Sequence, residues 1–150
     1  MRIHQASGAD AQLLAALHGD VFPDGQWDAT FWNKTATDPN AITLFADDRG
    51  RAIGFCVLRR AADEAEILTV GVAPDYRQGG TGRELLTEAF GQLPADVARV
   101  FLEVETTNVA ALALYRRLDF ETVGERKDYY GPGRTAVIME RRIEGACPSG

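Results

Sequence analysis

The chain has 150 residues, of which 45% are hydrophobic and 25% charged, and its formal net charge at pH 7 is −6. This size suits one domain, which buries roughly two-thirds of the surface that the unfolded chain exposes. No apolar run approaches the ~20 residues of a membrane span, and the first residues lack the apolar stretch of a secretory signal. We therefore expect a cytoplasmic protein with no membrane partner.

The negative charge argues against a nucleic-acid partner, because a nucleic-acid backbone usually requires a basic face. It permits a basic peptide or an amine as partner. The two cysteines, Cys56 and Cys147, are too few for a disulfide framework or a metal site, so we expect free thiols and no metal. We expect a single domain over residues 1–143 and a disordered tail over residues 144–150.

Helix signals open the chain after a short strand predicted at residues 3–6. Ser7 and Asp10 have the spacing of a capping box, and an apolar stripe follows until Pro23 ends the helix. His18 is interpreted as a partly exposed residue of this helix. Asp28 is a predicted cap for a second short helix carrying an aromatic pair. The stripe consists of Leu13, Leu14, Leu17 and Val21, and the pair of Phe31 and Trp32.

Strand signals come next, with an antiparallel meander predicted over residues 41–46, 52–59 and 65–72 around a turn at residues 47–50. Apolar residues at helical spacing then predict a helix from Gly82 to just before Pro94. A buried strand over 99–104 precedes a helix capped from residues 106–108. Strands over 120–127 and 135–139 complete the predicted sheet.

A glycine-rich turn joins the strand that ends at Val72 to the helix that follows. The first N–H groups of a helix have no internal partner and carry the positive end of its dipole, so they favour a bound pyrophosphate. Arg77 and Arg83 can add charge-assisted contacts. The turn lacks the Lys-Ser/Thr pair of a P-loop and the G-x-G-x-x-G spacing of a dinucleotide fold. For the glycines alone, a plain turn remains an equal alternative.

The pattern Arg77-x-x-Gly80-x-Gly82 after this strand resembles the acyl-CoA signature of the GNAT superfamily of N-acetyltransferases. The residues between Phe101 and Tyr130 resemble the RimI type, the ribosomal-protein alanine N-acetyltransferases. The resemblance implies an α/β (α+β) fold, with a mixed, twisted, largely antiparallel sheet of about seven strands and about four helices on both faces. The fourth and fifth strands splay apart, and pantetheine lies between them.

The same resemblance implies how acetyl-CoA is held. Backbone groups of Val70 and Val72 pair with pantetheine, and Asn108 contacts the cofactor from the start of the next helix. As a predicted cap, Asn108 can equally serve only its own helix. The pyrophosphate is expected on Arg77, Gln78, Gly79, Gly80, Thr81, Gly82 and Arg83.

The resemblance also assigns the chemistry. Glu103 is expected to act as general base and Tyr115 as general acid; the alternatives are an exposed strand acid and a core tyrosine. Glu103 lies within an apolar run, which favours the site interpretation. The acceptor cleft is expected to contain Phe22, Pro23, Tyr129 and Tyr130, although the two tyrosines, which stand next to Gly131, could equally anchor a loop.

Two positions depart from the family pattern. Asp119 stands where a helix-terminating glycine is usual, so an aspartate must accept left-handed geometry there. Thr69 stands where RimI relatives often carry asparagine, beside the acceptor.

The resulting hypothesis is transfer of the acetyl group of acetyl-CoA to the N-terminal α-amine of a protein, with ribosomal protein S18 and its alanine start as the typical acceptor. An α-amine with a pKa near 7.7–8.0 is roughly a tenth neutral at pH 7, far more than lysine. The alternatives are acetylation of a small amine and a CoA-binding regulatory module without turnover. We expect a monomer or weak dimer.

Overall fold

The computed structural model describes residues 1–23 and 27–143, which form seven strands and four α-helices. The strands are β1 (Arg2–Gln5), β2 (Ala41–Asp48), β3 (Arg51–Ala61), β4 (Glu64–Val72), β5 (Arg99–Glu105), β6 (Glu121–Arg126) and β7 (Ala136–Arg142). The helices are α1 (Ala11–Val21), α2 (Ala29–Thr37), α3 (Thr81–Gly91) and α4 (Val109–Arg117). None of these helices has the length and apolar character needed to cross a membrane.

The strands form one mixed sheet in the order β1-β2-β3-β4-β5-β7-β6. The pairs β1–β2, β2–β3, β5–β7 and β6–β7 are antiparallel. The pair β4–β5 is parallel, and its register joins the first three residues of each strand, from Glu64 opposite Arg99 to Glu66 opposite Phe101. The predicted mixed, largely antiparallel sheet of seven strands with four helices is therefore confirmed.

The β2–β3 hairpin is tighter than the sequence predicts, because β2 extends two residues into the predicted four-residue turn and β3 begins one residue earlier than predicted. Only Arg49 and Gly50 connect them, with φ angles of 54° and 88°. Two positive φ values in a two-residue connection match the twist of the flanking strands.

The chain forms two compact units. The first contains the described residues within 1–59 together with residues 67–93, and the second contains residues 60–66 together with the described residues from 94 onward. The expected single domain over residues 1–143 stays a prediction, and the expected tail over 144–150 lies outside the described residues.

An aromatic core lies in the first unit, where Leu14 and Leu17 of α1 pack with Trp32, Phe45 and Phe55. The capping box before α1 is confirmed, since the Asp10 carboxylate accepts the Ser7 N–H at 2.8 Å.

The first two helices differ in how well they match the sequence predictions. The prediction for Leu13 is wrong: its side chain is 48% exposed, because each helical position is rotated about 100° from the last and the core takes Leu14 instead. Asp28 caps α2 as predicted, and its side chain accepts the Phe31 N–H at 3.0 Å.

Cys56 is a buried free thiol, and burial raises its pKa to about 12, so it stays protonated at neutral pH.

Strand β5 sets the geometry of the second unit. Val100, Leu102 and Val104 are buried, and the alternating residues Phe101 and Glu103 lie on the opposite face of the strand. Glu103 therefore lies on the face of β5 opposite the buried Val100, Leu102 and Val104, although it stands between them in the sequence.

The helix that follows β5 ends in the geometry that the sequence predicts. After α4, Asp119 has a φ of 67°, which confirms the expected left-handed conformation at the helix end.

Candidate functional site

The glycine-rich turn presents the start of α3. Gly80 is the N-cap residue with a φ of 86°, and the helix begins at Thr81, one residue earlier than predicted. The Glu84 N–H donates to the Gly80 carbonyl at 3.0 Å, which is the first bond of the helical pattern. The N–H groups of Thr81, Gly82 and Arg83 lie ahead of it, at the positive end of the helix dipole.

Gly54 on β3 allows the start of α3 to lie close to the strands of the first unit. A β-carbon at Gly54 would be 3.1 Å from both Thr81 Cγ2 and Leu85 Cδ1, and 3.2 Å from the Gly71 carbonyl oxygen. These distances are tight, so a larger residue would displace the helix or β4. The start of α3 is thereby held beside the segment from Val70 to Val72.

The two glycines of the turn leave space next to their backbone. Gly79 and Gly80 are exposed. A β-carbon at Gly79 would meet nothing closer than the Tyr76 carbonyl oxygen at 3.5 Å, and one at Gly80 would meet nothing within 4 Å. The positive φ explains glycine at Gly80, but neither φ nor packing requires it at Gly79. Where neither backbone conformation nor packing requires a glycine, its missing side chain can still serve to let a ligand approach the backbone.

The two basic residues predicted to bind the pyrophosphate, Arg77 and Arg83, have different surroundings. The Arg77 Nε donates to the Val72 carbonyl at 3.3 Å, so this side chain fixes the turn to the end of β4. The guanidinium of Arg77 is exposed and has further N–H groups that this bond does not use. Arg83 is exposed on the first turn of α3. Gln78 has a φ of 67°, an uncommon value for a residue with a side chain, and this bend leads into Gly79 and Gly80.

Glu103 lies on β5 with a side chain that is 23% exposed, and its Oε1 lies 3.4 Å from Nε of Arg126 on β6. Glu66 is a second acid nearby. Burial raises the pKa of Glu66 above its ordinary value of 4.5, and the negative charge of Glu103 raises it further while Arg126 opposes the rise. The register explains the proximity: Glu66 is opposite Phe101, and Glu103 follows two residues later on the same face.

Tyr115 lies on the buried side of α4, and 6% of the residue is exposed. Its ring packs edge-on against Phe120, with ring centroids 5.7 Å apart. The structure thus supports the core-packing interpretation, and the acid role stays a prediction.

The side-chain oxygen of Asn108 accepts the Ala111 N–H at 3.1 Å, so the predicted cap of α4 is confirmed. The amide NH₂ of Asn108 is the group that remains for a ligand.

Tyr129 and Tyr130 lie in the loop between β6 and β7 and are 53% and 38% exposed. Their rings contact each other edge-on at 5.1 Å. Arg126 lies over the Tyr129 ring at 5.3 Å and Arg134 over the Tyr130 ring at 5.9 Å. Burial raises the pKa of Tyr130, and the charge of Glu103 raises it further. The Tyr130 hydroxyl is therefore neutral at physiological pH.

The interpretation of His18 is wrong. This residue is 4% exposed, and its ring lies 5.1–5.9 Å from the rings of Phe22, Trp27, Trp32 and Phe55. Its Nε2 lies 3.5 Å from the Thr69 hydroxyl. Burial lowers the pKa of His18 below 6.5.

Thr69 and Phe22 are thereby joined to this aromatic cluster. Phe22, predicted to line the acceptor cleft, packs on the core of the first unit, and the neighbouring Pro23 is exposed.

The predicted site residues divide between the two units. The first unit contains the cofactor-turn residues from Val70 to Arg83 together with Phe22 and Pro23. The second contains Glu103, Asn108, Tyr115, Tyr129 and Tyr130. Within the described ranges, no group of His, Cys, Asp or Glu side chains is arranged to hold a metal ion.

Sequence reasoning missed three side chains that bear on the site: His18, Glu66 and Arg126. Arg126 and Glu66 become neighbours of Glu103 only through strand pairing, which leaves no local signal. For His18, the aromatic residues clustered around it in the sequence were an available signal, because they predict a core around that helix.

Comparison with known proteins places this geometry among acetyltransferases. Residues 11–120 match the model of the acetyltransferase (GNAT) family. The chain is 38% identical over 145 residues to an N-alpha-acetyltransferase RimI of Mycobacterium tuberculosis, covering 91% of this chain and 89% of that protein. It is 38% identical over 94 residues to a [ribosomal protein bS18]-alanine N-acetyltransferase of Escherichia coli, covering 60% of this chain and 64% of that protein.

A solved structure agrees with these matches. The crystal structure of the ribosomal-protein-S18-alanine N-acetyltransferase from Escherichia coli superposes with a TM-score of 0.83 at 26% identity, covering 95% of this chain and 93% of the other.

Proposed function

The chain belongs to the GNAT family of acetyltransferases, and on that basis we propose that it transfers the acetyl group of acetyl-CoA to the N-terminal α-amine of a protein. The observation that carries the choice of acceptor is the 38% identity, over 91% of the chain, to an N-alpha-acetyltransferase. Relatives named for the alanine of ribosomal protein bS18 favour an acceptor with an alanine start. We place the reaction in the cytoplasm, where ribosomal proteins are made.

Acetyl-CoA supplies the reactive thioester and an anionic diphosphate. The N–H groups of Thr81, Gly82 and Arg83 precede the first helical hydrogen bond, and Gly79 and Gly80 leave space above them. These groups would hold the diphosphate, with added charge from Arg83 and the remaining guanidinium N–H groups of Arg77. Backbone groups of β4 at Val70 and Val72 would bind the pantetheine arm, and the Asn108 amide NH₂ would add a contact.

Glu103 would take the proton from the acceptor ammonium, directly or through a water molecule. Its ion pair with Arg126 places a positive charge beside the carboxyl group. Glu66 adds a second negative charge on the same face, which attracts a cationic N-terminus. An α-ammonium group has a pKa near 7.7–8.0, well below that of a lysine side chain, so a carboxylate can remove its proton more easily.

Tyr115 would return a proton to the leaving thiolate, whose conjugate acid has a pKa near 8.5 for a typical thiol. Its burial against Phe120 holds the ring in one orientation. The exposed rings of Tyr129 and Tyr130 would contact the first residues of the acceptor. The acceptor roles of Phe22 and Pro23 stay predictions.

The test is a steady-state assay with acetyl-CoA and peptides that begin with alanine, alongside a panel of small amines. We expect activity on the peptides, and a loss of roughly ten- to a thousandfold in rate for Glu103→Gln and for Tyr115→Phe. Calorimetry should give unchanged acetyl-CoA affinity for both variants. Glu125→Gln, at an exposed position of β6, is the matched control and should keep full activity.

Three results would contradict the proposal. Activity on small amines alone would reject a protein acceptor. Full activity of both variants would reject the assigned base and acid. Binding of CoA without any turnover would reject an enzyme in favour of a CoA-binding module.

A further inference from the structure

The end of β5 is joined to the loop between β6 and β7 by a two-pronged ion pair. Arg134 Nε lies 2.9 Å from Glu105 Oε2, and Arg134 Nη2 lies 2.8 Å from Glu105 Oε1. Two parallel bonds fix the direction as well as the distance between the groups. The Glu105 side chain is 20% exposed and that of Arg134 is 57% exposed, so the pair lies at the surface with its carboxylate partly covered.

The same guanidinium organises the aromatic loop. Arg134 Nη1 donates to the Tyr130 carbonyl at 3.3 Å, and its Cζ lies 5.9 Å from the centroid of the Tyr130 ring. The backbone adds two bonds, from Tyr130 N–H to the Arg134 carbonyl at 3.1 Å and from Arg134 N–H to the Gly131 carbonyl at 2.9 Å. Tyr130 is thus held by both the backbone and the side chain of one residue.

This loop has a backbone that needs such restraint. Asp128, Gly131 and Gly133 all have positive φ angles, of 56°, 134° and 76°. The Asp128 carboxylate accepts the Gly133 N–H at 2.6 Å, and the Asp128 carbonyl accepts the Gly131 N–H at 3.1 Å. These bonds close the loop on itself, while the pair between Arg134 and Glu105 fixes the closed loop to the sheet.

The anchor point is close to the proposed base. Glu105 follows Glu103 by two residues in β5, so both side chains lie on the same face of the strand. Fixing Arg134 to Glu105 therefore sets the Tyr130 ring at a defined place beside Glu103. The charge of Glu103 contributes to the raised pKa of Tyr130, which is consistent with this proximity.

We propose that Arg134 and Glu105 are positioning residues that hold the Tyr129–Tyr130 loop beside Glu103 and so determine how tightly the acceptor N-terminus binds. The inference rests on the proposed function, since it concerns the acceptor side of that reaction. Neither residue touches the reacting atoms. Single exposed ion pairs contribute little to stability, so loss of this pair should move the loop without unfolding the protein.

The experiment compares Arg134→Ala and Glu105→Gln with the wild-type enzyme, using saturation curves for an alanine-starting peptide and for acetyl-CoA. We expect the peptide KM to rise about tenfold in both variants, equivalent to about 1.4 kcal/mol. The acetyl-CoA KM should stay within about twofold and kcat should fall less than the peptide KM rises. Arg117→Ala, exposed on α4, is the control and should leave both KM values unchanged.

Two further variants separate positioning from a general structural effect. The exchanged pair, Glu105→Arg with Arg134→Glu, can remake the ion pair but not the bond to the Tyr130 carbonyl, so it should recover part of the lost peptide affinity. Arg134→Lys keeps the charge but loses the planar fork, so its peptide KM should lie between those of wild type and Arg134→Ala. Thermal unfolding of each variant confirms that the comparison is made on folded protein.

An active wild type whose peptide KM is unchanged in Arg134→Ala and Glu105→Gln would overturn this inference alone. A parallel rise in the acetyl-CoA KM, or no recovery in the exchanged pair, would also overturn it. A wild type inactive on every peptide would instead overturn the proposed function, and this inference with it.

Discussion

Gly71 on β4 offers a sharp test of how the first unit is packed. A β-carbon at this position would lie 2.5 Å from Cζ of Phe55, 3.1 Å from its Cε1 and 2.9 Å from Cγ1 of Val21. Carbon atoms pack best about 3.5–4.0 Å apart, so Gly71→Ala overlaps its neighbours by about 1 Å. The φ angle of Gly71 is not positive, so the backbone itself accepts alanine.

The cost of this overlap depends on whether Phe55 can move. Phe55 is fully buried, and its ring centroid lies 5.3 Å from that of His18, 5.5 Å from that of Trp32 and 6.3 Å from that of Phe22. A ring enclosed on these sides cannot shift by 1 Å without moving the others. We therefore expect Gly71→Ala to lower the free energy of unfolding by about 2–3 kcal/mol, near the top of the range for overpacked cores.

The assay is urea and thermal unfolding of the full chain. For a protein of this size, the loss corresponds to a fall in Tm of about 4–12 °C. Gly91→Ala at the end of α3 is the matched control, because a β-carbon there meets no atom within 4 Å. It should stabilise the protein by about 0.4–1 kcal/mol. In a Phe55→Leu background, which removes the contacted ring atoms, the penalty of Gly71→Ala should fall by at least about 1 kcal/mol.

A change in stability below about 0.5 kcal/mol for Gly71→Ala would refute this reasoning, since it would mean that Phe55 yields freely. An equal penalty in the Phe55→Leu background would also refute it, because the cost would then come from somewhere other than the ring.

Two further predictions concern a buried histidine and a helix end. Burial lowers the folded-state pKa of His18 below 6.5, so the unfolded chain binds this proton more tightly. The corresponding stability is fully present above about pH 6.5 and is lost as the pH falls toward the folded pKa. His18→Gln should reduce this slope in urea unfolding series, and an unchanged slope would contradict the assignment. Asp119→Gly should raise the free energy of unfolding by about 0.5–1 kcal/mol, because glycine accepts the φ of 67°, whereas Asp119→Val should lower it; a loss of stability in both would contradict the argument.

The sequence by itself determined the local structure. Ser7, Asp28 and Asn108 marked the helix starts, because their side chains can hydrogen-bond the free N–H groups there. All three caps are present. An apolar run predicted the buried strand β5, and apolar residues at helical spacing predicted the start of α3 to within one residue. These features depend on hydrogen bonds and periodicities that span only a few residues, so they are readable along the chain. The family resemblance supplied the fold and the acetyl-transfer chemistry, and the roles of Glu103 and Tyr115 stay predictions.

Only the tertiary structure decided which distant side chains meet. Burial of His18 requires aromatic residues from α2 and β3 around it, and Leu13 is exposed because the core takes Leu14. The parallel start of β4 and β5 sets Glu66 near Glu103. The β5–β7 and β6–β7 pairings carry the loop whose Arg134 meets Glu105, 29 residues earlier. Strand order and register are fixed by packing of the whole sheet, so no local pattern contains these contacts.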